Sequence, residues 1–220
     1  MEDSNILETS PLVEGLLMIH RIITRGLSTS IRKCDEYIGK QGISPEELKG
    51  FSMYVSALRR VTNAHHLTED EIAYPYFKDN IKAPYDRLTD DHHTIAYILV
   101  EIEKCLPGIS SGGLDKLREV LYKFEKQWGP HIRIEEDNFT VEKVQVIAGQ
   151  KEQKELADKI GKHSSKNSGP APLTVPFLIY NLEEKDRETF MMNFPWIVKK
   201  VIVPVIWKNQ WKPMSPFLLM

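Results

Sequence analysis

The sequence predicts an all-α protein: an up-down-up-down four-helix bundle followed by a helical, aromatic-rich C-terminal extension. Three observations predict it. Apolar residues recur at alternating steps of three and four through four long segments, the period of amphipathic helices that share one core. The breaks between those segments are short, which favours antiparallel neighbours. The apolar content, 41% of 220 residues, is enough to fill such a core.

The first helix runs roughly from Leu12 to Tyr37, with Val13, Leu16, His20, Ile23 and Leu27 on one stripe. The second, roughly Pro45 to Phe77, starts at Ser44-Pro45-Glu46-Glu47, with proline at the first helical position. Its stripe reads Phe51, Val55, Leu58, Thr62, His65, Glu69, Ile72. The third follows the breaker Lys82-Ala83-Pro84 and aligns Leu88, His92, Ile95, Leu99, Ile102 and Leu106. The fourth follows Ser110-Ser111-Gly112-Gly113 and aligns Leu114, Leu117, Leu121, Phe124, Trp128, His131 and Glu135. Gly129-Pro130 sits awkwardly inside it, because proline removes a helix hydrogen bond. A kink or bulge that aims His131 inward is expected there.

Residues 1–148 therefore form the bundle. Residues 149–172 form a polar helix near Gln150 to Lys162 and an exposed linker, Ser164 to Pro172. Residues 173–220 form the extension, whose Phe177, Tyr180, Phe190, Trp196, Trp207, Trp211 and Phe217 would not stay in water. It is expected to pack on the bundle or to form a homodimer interface.

Composition excludes several classes. Twenty-nine basic against 31 acidic residues leave a net charge of −2, which gives no electrostatic case for nucleic acid or an anionic membrane. Cys34 and Cys105 lack metal-site spacing and read as reduced thiols of a cytoplasmic protein. Met1-Glu2-Asp3-Ser4-Asn5 is acidic and polar, unlike a signal peptide. No apolar run approaches the roughly 20 residues that span a bilayer.

Six polar residues interrupt the four core stripes: His20, His65, Glu69, His92, His131 and Glu135. Burying an imidazole or carboxylate without a partner costs several kcal/mol, so six in register demand a shared explanation. His65 and Glu69, like His131 and Glu135, are four apart and share a helix face. Imidazole plus carboxylate suits iron, manganese or zinc, and inward carboxylates of bundle helices are the usual bridges between two irons. His66 and His93 lie one residue off the stripe, at a bundle flank, where a role beside the ligands or at the surface is expected. Only the first members of Glu69-Asp70-Glu71 and Glu135-Glu136-Asp137 reach the core stripe. His163 is assigned no role.

His20, His65-His66-Leu67-Thr68-Glu69-Asp70-Glu71-Ile72-Ala73-Tyr74-Pro75, Asp91-His92 and His131-Ile132-Arg133-Ile134-Glu135-Glu136 follow the order H, HxxxE, H, HxxxE. In this the sequence resembles the hemerythrin-like family with its HHE cation-binding domain, over about residues 10 to 145. The resemblance implies a diiron centre in which Glu69 and Glu135 bridge and His20, His65, His92 and His131 are terminal ligands. The oxygen-carrying members have a fifth histidine one turn after the third-helix ligand and an aspartate as the last carboxylate; here those positions are Ala96 and Glu135. That departure implies an extra open position, favouring inner-sphere chemistry over simple carriage, with Tyr97 and His93 as candidates to complete the shell. The first functional expectation is binding of dioxygen, peroxide or nitric oxide for storage, detoxification or sensing. The second is an oxygen-activating diiron enzyme with a small organic substrate, and the third an interaction domain in which metal only stabilises the fold.

Overall fold

Helix α1 (Pro11–Tyr37) starts where Ser10 accepts the Val13 N–H, and α2 (Pro45–Thr68) where Ser44 accepts the Glu47 N–H. Both have proline in the first turn, where its missing N–H costs nothing. Helix α4 (Tyr85–Cys105) follows Pro84, and α5 (Leu114–Asn138) follows Gly112, whose φ of 91° only glycine adopts readily. In this computed structural model, which describes residues 9–192 and 194–220, α1 packs on α2 and α5, and α4 packs on the same two helices. The four long helices so form a closed ring, and no strand occurs among the described residues. The predicted stripes meet inside it, with Ile23, Leu27, Phe51, Leu58, Ile95, Leu117, Leu121 and Phe124 buried. The expectation for Met1 to Asn5 lies outside the described residues.

Three local expectations are corrected. The second segment is not one α-helix. After Thr68 the backbone widens into a π-turn, Glu69–Ala73, in which the Tyr74 N–H reaches back five residues to the Glu69 carbonyl, before α3 (Tyr74–Phe77) resumes. Of the kink or bulge expected at Gly129-Pro130, the bulge does not occur, and α5 continues through it as α-helix. Pro130 and Lys126 both face solvent, so water reaches the carbonyl that proline leaves unpaired. The third correction concerns the linker. After α6 (Val141–Ile147), α7 (Gln150–Asn167) extends through most of the Ser/Lys/Asn stretch, and only Ser168-Gly169-Pro170 connects it to α8 (Ala171–Tyr180). Helix α7 lies against α1 and α2, where Ser10 donates to Gln153 at 2.6 Å and Leu156 is buried.

The extension continues through α9 (Glu184–Met192), a π-wound stretch Val198–Ile206, α10 (Lys208–Trp211) and a 3-10 turn Lys212–Phe217. Phe177, Trp211, Met214 and Phe217 are buried in the core cluster they share with α1 and α2, each aromatic contributing about 1.5–3 kcal/mol. Two helix-interior glycines admit them. A Cβ on Gly50 would stand 1.9 Å from the Pro213 carbonyl oxygen, and one on Gly26 would stand 2.7 Å from the Phe177 ring. Beneath the contact, Tyr54 donates to Asn181 at 2.6 Å and Arg25 to Asn181 at 2.8 Å. Met192, Trp196, Ile197, Val205 and Ile206 stay exposed. No helix among the described residues is long and apolar enough to cross a membrane.

Candidate metal centre

The six stripe residues come together. His20 from α1, His65 from α2, Glu69 from the π-turn, His92 from α4, and His131 and Glu135 from α5 are all at most 7% exposed. Their ring nitrogens and carboxylate oxygens face one another. His20 Nε2 lies 3.1 Å from Glu135 Oε2, and His131 Nε2 lies 3.4 Å from the same oxygen. His65 and His92 place Nε2 at 3.4 Å and 3.5 Å from Glu69 Oε2. His92 and His131 Nε2 are 3.2 Å apart.

His66 joins them. It is buried, its ring stacks on His92 with centroids 4.1 Å apart, and its Nε2 has no hydrogen-bond partner. Sequence reasoning placed it on the flank because adjacent helix positions differ by roughly 100°. The interior is wide enough here to receive both rings, and Trp128, 5.8 Å from His66 and 6.1 Å from His65, packs against the two of them. His93 and Tyr97 do not join. His93 is exposed, and Tyr97 is 68% exposed on the outer face of α4, five residues beyond His92 and so turned away from the interior.

Outer carboxylates orient the rings. Glu136 meets His20 Nδ1 at 2.8 Å, and Asp70 meets His92 Nδ1 at 2.8 Å. Asp91, held by Gln127 at 2.7 Å, lies 3.7 Å from His131 Nδ1. A carboxylate on Nδ1 directs Nε2 inward and raises its basicity as a ligand. Asp70 and Glu136 are thus the part of the two acidic runs that serves the centre. Tyr74, carried inward by the π-turn, donates to Glu135 and lies 3.3 Å from His92 Nε2. The residue without a predicted role, His163 of α7, braces the same turn, meeting Thr68 at 2.9 Å and Glu71 at 2.8 Å.

Inside this shell Nε2 of His20, His65 and His66 and Oε2 of Glu69 and Glu135 are buried without a hydrogen-bond partner. Burial, then the neighbouring imidazole charges, holds His65 far below the ordinary histidine range, and His66 likewise. Burial, then the charge of Glu135, pushes the Glu69 carboxyl well above the carboxylate range. For Glu135 burial acts upward, but the close approach of the His20 ring, 3.1 Å away, and the surrounding imidazoles outweigh it and hold it below that range. Two groups of four donor atoms, each within 4.8 Å of one another, could each hold a cation: His66, Glu69, His92 and His131, and His20, His65, Glu69 and Glu135. Donors held about 2.0–2.2 Å from one ion lie roughly 3–3.5 Å from each other, as the pairs His20–Glu135, His65–Glu69, His92–Glu69 and His92–His131 do. Glu69 belongs to both groups.

The family model of the hemerythrin HHE cation binding domain matches residues 12–140. The chain belongs to this family. Searches of curated proteins and of solved structures give no further match. Within this hemerythrin-domain protein the matched span runs from the start of α1 to just past α5 and contains every residue of the cluster. Helices α6 to α10 lie beyond it.

Proposed function

We propose that this hemerythrin-domain protein holds two iron ions through His20, His65, Glu69, His92, His131 and Glu135, and that it binds or reacts with dioxygen or another small ligand such as peroxide or nitric oxide. The observation that carries this reading is the convergence of buried, unpartnered imidazole and carboxylate atoms in two groups joined by Glu69. Manganese or zinc fits the same donors, and the mixed nitrogen and oxygen set with two carboxylates favours iron.

Bound iron would supply the electrons for such chemistry; the rest falls to the chain. Glu136 and Asp70 hold the rings of His20 and His92 with Nε2 turned inward. Trp128, fixed by its N–H to Thr24 at 2.9 Å, seals one side against water with its ring 5.6 Å from His20. The Tyr74 phenol, raised by burial and then by Glu69 and Glu135, keeps its proton and holds Glu135 in place.

A second reading, an oxidase or oxygenase of a small organic substrate, is favoured by one feature. An open surface depression of about 300 Å³ lined by Arg21, Thr24, Arg25, Ile132 and Glu136 lies beside His20. Its volume is at the lower end for small-molecule sites.

The test is anaerobic reconstitution with ferrous iron, measuring metal per chain and the visible spectrum before and after admitting oxygen. Two irons per chain and a new oxygen-dependent absorption are expected. Substoichiometric iron without it would sink the proposal. A substrate that fills the depression and accelerates oxygen consumption would decide for the second reading.

A further inference from the structure

We infer that His66 is a seventh protein ligand, the third imidazole of the metal position formed by Glu69, His92 and His131, supplied from α2 where Ala96 of α4 offers none. This rests on the metal-centre reading above. Three observations meet on His66. Its Nε2 is buried without a partner, which in an apolar interior costs several kcal/mol unless something outside the polypeptide takes it up. A ring nitrogen of His66 lies within 4.8 Å of donor atoms of Glu69, His92 and His131. Its ring is fixed by packing, stacked at 14° on His92 and edge-on to His131 at 5.2 Å, as a ligand that must not reorganise on binding should be.

The space around Ala96 supports the same assignment. A cavity of about 110 Å³ runs from Ala96 and His93 at the rim to His66 and His92 at its inner wall. A ring projecting from position 96 would occupy this cavity; here it is left open, and the adjacent imidazole comes from the neighbouring helix. One metal position thereby gains three imidazoles, whereas the other keeps two, His20 and His65, with Glu69 and Glu135. Each position has four protein ligands, and the one with fewer imidazoles lies beside His20.

The experiment uses the whole chain loaded with zinc, a diamagnetic probe, and nitrogen-15 NMR of its seven histidines. Rings whose Nε2 binds zinc shift characteristically. We expect five shifted rings, His20, His65, His66, His92 and His131, with His93 and His163 unshifted. Shifts at His20, His65, His92 and His131 but none at His66 would overturn the inference and leave the centre intact. A wild-type chain in which none of those four shifts would overturn the reading of the centre itself. Cobalt(II) titration gives a second readout. His66→Ala should weaken one of two bound ions by about tenfold or more, whereas His93→Ala should change nothing. Wild-type affinity and an unchanged visible cobalt spectrum in His66→Ala would overturn the inference, and the NMR count decides it without a variant.

Discussion

The chain carries the same four-residue spacing twice, His65–Glu69 and His131–Glu135, and winds the two copies differently. The second stays in continuous α-helix although a proline immediately precedes it; the first opens into a π-turn at its glutamate, with Pro75 just beyond. Proline in a helix is therefore not enough to predict where the winding changes. Pro130 faces water, which satisfies the carbonyl it strands. The turn before Pro75 lies where interior side chains gain from extra width: an added residue per turn brings Tyr74 onto the face of Glu69 and Asp70 beneath His92. Such π-insertions concentrate at functional sites for this reason. The two glutamates also titrate in opposite directions, Glu69 raised and Glu135 lowered.

The largest test of the asymmetry removes each glutamate. Glu69 belongs to both donor groups and Glu135 to one, so Glu69→Ala should abolish tight binding of both cations, by roughly a thousandfold or more, a loss of about 4 kcal/mol. Glu135→Ala should spare the position of His66, His92 and His131. Metal analysis after dialysis reads both. Full occupancy in Glu69→Ala would end its bridging role.

Next is pH. Burial and the charge of Glu135 raise the Glu69 carboxyl above the ordinary carboxylate range, and the Glu135 and Glu136 carboxylates beside His20 outweigh burial and raise that ring too. Both must lose a proton to bind a cation, so affinity should rise with pH through the neutral range, by up to about tenfold per pH unit for each proton released. Proton release on cobalt binding, measured in a weak buffer, checks this. No release would mean that the carboxyl is already ionised.

Much of this was legible before any coordinates. Periodicity located all four long helices and put His20, His65, Glu69, His92, His131 and Glu135 on their inner faces. What was hidden depends on departures from ideal α geometry or on neighbours distant in sequence. His66 lies off a stripe drawn at 3.6 residues per turn, yet the site admits it. Tyr74 reaches Glu135 only because the π-turn rotates it inward, and the one available signal was Pro75. Asp70 and Glu136 were visible as acidic runs, but their rings lie on other helices. Gly26 and Gly50 look like weak points in helices until Phe177 and Pro213 approach them.

A smaller effect is expected from the outer carboxylates. Glu136→Gln and Asp70→Asn keep a hydrogen-bonding side chain on His20 and His92 but remove its charge, and should weaken binding about tenfold at the position each ring serves. Competition titration against a coloured chelator would resolve this. Equal weakening at both positions would mean that the carboxylates act through net charge rather than by orienting one ring.

The finest test exchanges the two prolines. Pro130→Ala restores an N–H to a helix that is already α-wound there, so it should stabilise α5 while leaving both metal affinities unchanged. Pro75→Ala restores an N–H just after the π-turn, which allows regular i to i−4 bonding to compete with the wider winding. The Tyr74 hydrogen bond to Glu135 and the His163 brace on Glu71 oppose that competition. A net hydrogen bond is worth about 1 kcal/mol, comparable to one recovered helix bond. Pro75→Ala should therefore populate the regular winding in part and weaken binding only several-fold. Combining it with Tyr74→Phe should deepen the loss beyond the sum of the two, because the π-turn then loses the contact that selects it. Amide hydrogen exchange across residues 69–74 distinguishes the cases. If Pro75→Ala changes neither exchange nor affinity, proline has no part in the π-turn, and the difference between the two motifs lies in the interior contacts alone.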